Sequence, residues 1–329
     1  MSRASLEAGL HATLEIPILG VPTRFAAADE ELLSHVRHTF GAWLGLASSP
    51  DVLSRARVTV RLHRRSGTGD GPGAPVSYER RRDDLLVVST PASHGVADLG
   101  AGEVTAHVTD ELLADAAHFG YAFLSALTLA AITVHDRVPL HAAAVARGDA
   151  ALLLHGPSGV GKSSLVLAAA ARGMRVLSED VVYAELEAGP RLWGMPGPVH
   201  VSEDALRFFP GLRPVRRVVR AGGQAKLAVT LPGGDPSPMP ATRAGICLLR
   251  RSAGPPTLSP ATEQEVHEVL GGARESGFDR FARAAARATG LVAGGGAWHL
   301  AVGGDPQAAA GALDPLLDGL GDPGEGGAR

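Results

Sequence analysis

At 329 residues the chain is long enough for one large or two ordinary domains with real cores. Its 45% hydrophobic and 20% charged content is that of a globular protein, and a net charge of −3 provides no general attraction for nucleic acid or an anionic membrane. The single cysteine, Cys247, excludes an internal disulfide and suits a reducing cytoplasm.

In chain order, the first twenty residues contain no apolar segment of secretory type, consistent with a cytoplasmic protein. Leu14–Ala27 reads as strand, turn, strand, and Glu30–Leu46 as an amphipathic helix. Arg57–Arg65 alternates apolar and polar residues as a half-buried strand does. The turn-rich Ser66–Pro75 predicts a hairpin joining it to Val76–Thr90. Leu113–Val134 is a long apolar helix, whose core Phe119–Val134 is short for a membrane span and fits a buried helix. Two β-like runs follow, Leu140–Ala146 and Ala150–Leu154. Gly173–Gly189 is a strand carrying acids and then a second strand, and a short helix is expected after a Ser202 cap. The arginines 213, 216, 217 and 220 have 3,4 spacing, which predicts a helix with several guanidinium groups on one face. Such a face suits a clamp on a triphosphate or a dock for an acidic substrate, and equally a solvated surface. Trp193, Met195 and His200 are candidates for a substrate wall, with core packing the plainer account. Strands at 225–231 and 243–251, a helix at Glu263–Ala288, a strand at 297–304 and a helix at Asp305–Leu317 close the fold. Residues 321–329 hold too little apolar material to order themselves. Strands outnumber those of a simple alternating array, so the fold class is α/β with a mixed central sheet. The predicted division is an α+β region at 1–112, a nucleotide-binding domain at 113–320 and a disordered tail at 321–329.

The chemistry concentrates at Gly156–Ser163, G-P-S-G-V-G-K-S, which matches G-x-x-x-x-G-K-[ST] residue for residue. An apolar run precedes it and a helix-forming run follows, the context a phosphate-binding loop requires. Gly156, Gly159 and Gly161 are expected to take φ > 0 and, with Ser158, Val160 and Ser164, to line a loop around phosphate. Lys162 is placed to reach the β- and γ-phosphates, and the Ser163 hydroxyl to bind Mg²⁺. Seventeen residues beyond Lys162 stand two adjacent carboxylates, Glu179 and Asp180. Such a pair can divide phosphoryl transfer, one holding Mg²⁺ and the other accepting the proton of an attacking hydroxyl. Which does which is open at this level. His141, fifteen residues before Gly156, is the third element.

Other nucleotide-binding classes fit less well. A chain without asparagine cannot supply the N-K-x-D motif of GTPase switches. The nearest match to the L-S-G-G-Q of transporter ATPases, at Ala221–Lys226, follows the acids and so stands in the wrong order. Guanylate kinase-like enzymes share the loop text but place it at the start of the chain and follow it with a lid absent here.

The segments Leu140–Val145, Gly156–Leu165, Arg172–Val182 and Gly223–Val229 together resemble the kinase domain of HPr kinase/phosphorylase and the HPr kinase-like proteins of bacterial gene clusters. The resemblance extends over Val138–Leu248 and implies a PEP carboxykinase-like P-loop fold. It also implies ATP- and Mg²⁺-dependent transfer of a γ-phosphoryl group to a serine-like hydroxyl on a peptide, protein or small metabolite. Lys162 and Ser163 would bind the triphosphate and Mg²⁺, His141 would steer the acid pair, and Lys226 would stand near the transferred phosphate. Glu179 occupies a position where the family has aspartate. The second signature of true HPr kinase/phosphorylases, close to E-I-R-G-L-G-I-I-N, does not follow Asp180, so HPr itself and the phosphorylase reaction are not implied. An acceptor encoded nearby is the expected partner, a homo-oligomer is compatible, and no nucleic-acid or membrane partner is expected. The alternative is a nucleotide-binding regulatory or assembly protein with little phosphotransfer.

Overall fold

The computed structural model describes residues 9–48, 57–82, 84–186, 191–195, 197–219, 225–231, 238–272 and 282–321. The chain divides into two compact units, Met1–Arg137 and Val138–Arg329. The architecture is mixed α/β, with two mixed sheets and two small antiparallel ones among the described residues.

The first unit is built on a seven-stranded sheet of β1 (Ala12–Ile18), β2 (Val21–Ala27), β3 (Val58–Arg64), β4 (Ser77–Arg81), β5 (Leu85–Ser89), β6 (His94–Asp98) and β7 (Glu103–Val108). Their order is β1-β2-β3-β7-β6-β5-β4. The β1–β2 hairpin turns through Leu19 and Gly20, both at positive φ (52° and 73°), as the twist of a two-residue hairpin demands. Helix α1 (Glu30–Phe40) is capped by the Asp29 side chain, which accepts from the Leu32 N–H, and buries Leu32, Leu33, Val36 and Phe40. The helix predicted through Leu46 leaves α geometry at Gly41 for a 3₁₀ segment.

Three expectations for this unit are corrected. The strand β3 does not form a hairpin with β4; it pairs in parallel with β2 and β7, while β4 pairs with β5. The long helix is broken into Asp110–Ala114, Ala116–His118, a π-helical turn Phe119–Leu124 and α2 (Ser125–Ile132). Finally, α2 packs on β5, β6 and β7 of this sheet, so the segment predicted to lead the second domain at residue 113 belongs to the first unit. No helix among the described residues is long and apolar enough to cross a membrane.

The second unit centres on a six-stranded sheet of β9 (Ala143–Arg147), β10 (Ala150–His155), β11 (Arg175–Ser178), β17 (Arg243–Arg251), β18 (Thr257–Pro260) and β19 (Ala297–Val302). The order is β11-β9-β10-β17-β19-β18. Strands β10, β17 and β19 are mutually parallel and flanked by antiparallel neighbours. All six residues of β10 are buried, as a strand covered on both faces requires. One face carries α3 (Lys162–Ala171), α6 (Pro306–Gly311) and α7 (Asp314–Gly321). The other carries α4 (Glu263–Gly272), α5 (Ala282–Gly294) and a small sheet of β8 (Val138–Leu140), β12 (Val182–Glu185) and β13 (Arg191–Gly194). A third sheet has β14 (Val199–Val201), β15 (Pro214–Val219) and β16 (Ala225–Val229) in the order β14-β16-β15.

Here too the structure departs from expectation. The arginine-rich stretch is the strand β15, not a helix, so Arg216 and Arg217 point to opposite faces; Arg220 lies outside the described residues. Ser202 precedes a 3₁₀ turn, Glu203–Phe208, without a side-chain cap bond. The helix predicted over 263–288 is two helices, and residues 273–281 between them lie outside the described residues. The closing helix is likewise two, α6 and α7, and most of the predicted tail, 322–329, is not described.

Candidate active site

Topology brings the sequence-predicted site residues to one end of the central sheet. The glycine loop leaves the carboxyl end of β10. Strand β11 pairs antiparallel with β9, which pairs antiparallel with β10, so β11 runs with β10 and delivers Glu179 and Asp180 to the same end. His141 lies just ahead of β9, whose first residue, Ala143, stands opposite Leu154 at the end of β10. This is the sheet end at which open α/β folds bind ligands.

Gly159 and Gly161 take positive φ (79° and 111°), as expected, and Gly161 is the N-cap of α3. Gly156 does not, and its need for glycine is steric. A Cβ there would stand 3.0 Å from both Cβ and O of Leu249 and 3.2 Å from Val160 Cγ1. Val160 contributes little to a ligand surface: its side chain is in the core and its N–H donates to Pro157 O at 3.2 Å. The N–H groups of Gly159 and Gly161 have no acceptor among the described residues. Ser158 is exposed, and Ser164 partly so. Behind the loop, Leu165, Val166, Leu167 and the alanines that follow are buried, anchoring the positive end of α3 beneath it. Lys162 Nζ donates to Gly156 O at 2.7 Å, which holds the ammonium over the loop.

Ser163 Oγ donates to Glu179 Oε1 at 2.8 Å. The other oxygen of Glu179 accepts from the backbone N–H of His200 at 3.1 Å and meets His200 Nδ1 at 3.0 Å. Burial pushes the Glu179 carboxyl up, but the hydrogen bonds from His200 and Ser163 outweigh it and hold the group below the ordinary carboxylate range. A β-bulge between Val176 and Ser178 immediately precedes the acids, a device that re-aims the residues after it. Asp180 is more open, with 37% of its side chain exposed against 10% for Glu179, and its Oδ1 lies 3.8 Å from His141 Nε2. The carbonyl of His141 in turn bonds His155 Nδ1 at 2.9 Å. His155 is buried at the foot of the loop, and desolvation lowers its pKa, favouring neutral imidazole.

His200 is the residue whose role the sequence reading missed. It stands at the centre of β14, flanked by Val199 and Val201, which are buried in the core around α3. The alternation V-H-V is the signal that was there to be read: the valines face the helix and the histidine does not. Opposite His200 lies Ala228, with Lys226 two residues along β16 on the same face; Arg216 of β15 also pairs with Ala228. Lys226 and Arg216 therefore share the sheet face of His200, though the structure shows no contact of either with the acid pair. Trp193 is buried and its Nε1 donates to Glu185 at 2.7 Å, so it packs rather than lining the site. Met195 is half-buried, and no contact ties it to the acid pair.

Among the described residues no group of three or more His, Cys, Asp or Glu side chains converges as a metal site. Because the Ser163 hydroxyl donates to Glu179, its lone pairs remain available, and Ser163 with Glu179 supplies oxygen ligands of the kind Mg²⁺ takes alongside water and phosphate.

No protein-family model matches the chain, and no curated protein does. Among solved structures, the Hpr(Ser) kinase/phosphatase from Coxiella burnetii is similar at 16% identity, over 37% of this chain and 77% of that one. The TM-score of 0.21 is too low to establish a shared fold.

Proposed function

We propose that the chain is an ATP- and Mg²⁺-dependent kinase that transfers the γ-phosphoryl group to a hydroxyl acceptor, with a P-loop core of the HPr kinase-like type. The observation that carries this reading is the pair of contacts Lys162–Gly156 and Ser163–Glu179. They join the glycine loop and the acid strand into one site.

The backbone N–H groups of Gly159 and Gly161 and the end of α3 receive phosphate oxygens, and Lys162 neutralises their charge. Ser163, Glu179 and Asp180 would hold Mg²⁺, which when bound draws negative charge from the phosphates. Both oxygens of Glu179 are engaged and the group is mostly buried, so it acts as the fixed carboxylate that positions Ser163. That leaves Asp180 as the base taking the proton of the acceptor hydroxyl, with His141 orienting it. Lys226, on the face of His200, is assigned to the transferred phosphate.

The test is transfer of label from γ-labelled ATP to serine peptides and to products of neighbouring genes. Lys162→Ala and Asp180→Asn should each abolish transfer, and transfer that survives both changes would sink the proposal. The engaged state of Glu179 also suits a nucleotide-binding regulator. That reading instead expects Mg²⁺-dependent gain in Tm on adding ATP, without transfer to any acceptor.

A further inference from the structure

The three-stranded sheet beside the acid pair ends in an open edge. In the order β14-β16-β15, one side of β15 is hydrogen-bonded to β16, and the other has no strand partner among the described residues. An open edge is a row of unpaired N–H and C=O groups, a template for adding a strand. This edge is also strongly basic. Arg213, Arg216 and Arg217 are exposed, and none has an ion-pair or hydrogen-bond partner for its side chain among the described residues. Elsewhere some surface arginines are matched, Arg64 by Asp29, Glu31 and Asp110 and Arg147 by Asp314 and Asp318. Others, such as Arg24, Arg250 and Arg251, are unmatched among the described residues, but only at β15 do such arginines fall on consecutive residues of an open strand edge there. Between the arginines, Val215 is 70% exposed.

From Arg216 onward the ladder with β16 is regular, so the charges at 216 and 217 project to both faces of the strand. A second copy of the chain is a poor occupant, since pairing β15 with itself sets arginines against arginines. An extended acidic segment meets both requirements. Its backbone completes the ladder, and its alternate side chains meet guanidinium groups on the two faces.

We infer that β15 docks an extended acidic segment of the acceptor peptide or protein by strand addition. For its purpose this inference rests on the phosphotransfer reading; for its existence it does not. Strands stack about 4.8 Å apart, so a segment added to β15 would lie about 14 Å from β14, which carries His200. At about 3.3 Å per extended residue, the acceptor hydroxyl must then lie at least about four residues from the docking segment. The enzyme would thus recognise its acceptor by acids displaced from the modified residue.

The experiment is fluorescence anisotropy of the full chain, without nucleotide, against a short fluorescein-labelled peptide of repeated Glu-Glu-Val-Val, which presents glutamates on both faces of an extended strand. Binding should weaken with added salt and fall at least about tenfold in Arg216→Glu/Arg217→Glu. The neutral pair Arg216→Gln/Arg217→Gln should show a smaller loss in the same direction, at unchanged Tm. Two further probes carry N-methyl groups at alternate residues in opposite phase. One should bind like the parent and the other should fail, because only one set of N–H groups faces the edge. Binding unaffected by the arginine changes would overturn the inference. So would equal binding of both methylated probes, or tighter binding of a single-stranded oligonucleotide of matching charge. Because no nucleotide is present, failure here leaves the kinase assay standing, and failure of that assay leaves this result standing.

Discussion

Gly194 closes β13 directly against the backbone of the strand that carries the acids. A Cβ built on it would lie 1.9 Å from Leu177 O, 2.3 Å from its carbonyl carbon and 2.7 Å from its Cα. All three are backbone atoms, and Leu177 stands two residues before Glu179. Ordinary contact begins near 3.4 Å, so Gly194→Ala forces a separation of about 1.5 Å between the two strands. If β11 takes half or more of it, Glu179 and Asp180 move by close to 1 Å, which costs about 10²-fold in a reaction that depends on position. Overpacking of this kind also costs about 1–3 kcal/mol of stability, a Tm loss of several degrees for a unit of this size. Gly197→Ala is the control, since a Cβ there meets nothing within 4 Å. Phosphotransfer and thermal unfolding measured on both variants decide the matter. Gly194→Ala with wild-type Tm and wild-type transfer would refute the claim that this contact fixes the acids.

The remaining predictions concern titration and reactivity. His63, His107 and His94 stack across β3, β7 and β6 at 4.9 and 5.1 Å, and burial first, then mutual repulsion and Arg65, lowers the pKa of His107. A lowered folded-state pKa means stability is intact above the ordinary value of 6.5 and is lost as pH falls below it. His107→Gln should therefore flatten the fall of Tm below that value, and an unchanged slope would count against the stack. Glu179 is lowered by its hydrogen bonds despite burial, so its contribution is full above 4.5 and disappears as pH falls through the lower folded value. Glu179→Gln should remove that lower part of the acid transition, read by circular dichroism. Burial pushes the Cys247 thiol up to about 12, so it should resist iodoacetamide at neutral pH until the chain unfolds, and rapid labelling of native protein would contradict its placement.

Much of the site was legible because its parts are local. The loop, its flanking strand and helix, and the acid pair each sit within a few residues, and their spacing places them at one sheet end once β9 lies between β10 and β11. What was not legible depends on distant partners. No local turn signal announces that β3 pairs in parallel with β2 and β7, because parallel pairing has no connecting hairpin. The stretch 213–220 misled because arginines at 213, 216, 217 and 220 obey a helical period, while Pro214 and the valines 215, 218 and 219 favour a strand. There the β-branched residues and the partner β16 won. The segment 113–134 was read correctly as apolar but assigned to the wrong unit, since a sequence does not say which sheet an apolar helix will cover.

Glutamate at 179, where the resemblance implies aspartate, has a structural reason. The carboxylate spans two elements at once: Oε1 accepts a hydrogen bond from the Ser163 hydroxyl at the start of α3, and Oε2 accepts one from the N–H of His200 on β14. That N–H is a ladder donor of a strand whose outer side has no strand partner among the described residues, so Glu179 satisfies it in place of a neighbouring strand. The extra methylene lets one side chain bridge the helix and the sheet edge. Glu179→Asp withdraws the carboxylate by about one bond length, about 1.5 Å, and cannot keep contacts of 2.8 and 3.1 Å to both partners. One buried donor is then left unsatisfied, at about 1–3 kcal/mol, and Ser163 loses its fixed orientation. This conservative-looking change should therefore lower both Tm and Mg²⁺-dependent nucleotide binding. Its effect should be greater than that of Asp180→Asn, which alters a half-exposed carboxylate and leaves the bridge from Ser163 to His200 in place. Calorimetric titration of both variants with Mg²⁺ and ATP tests the order, and a Glu179→Asp variant that binds and melts like wild type would show that the bridge is dispensable.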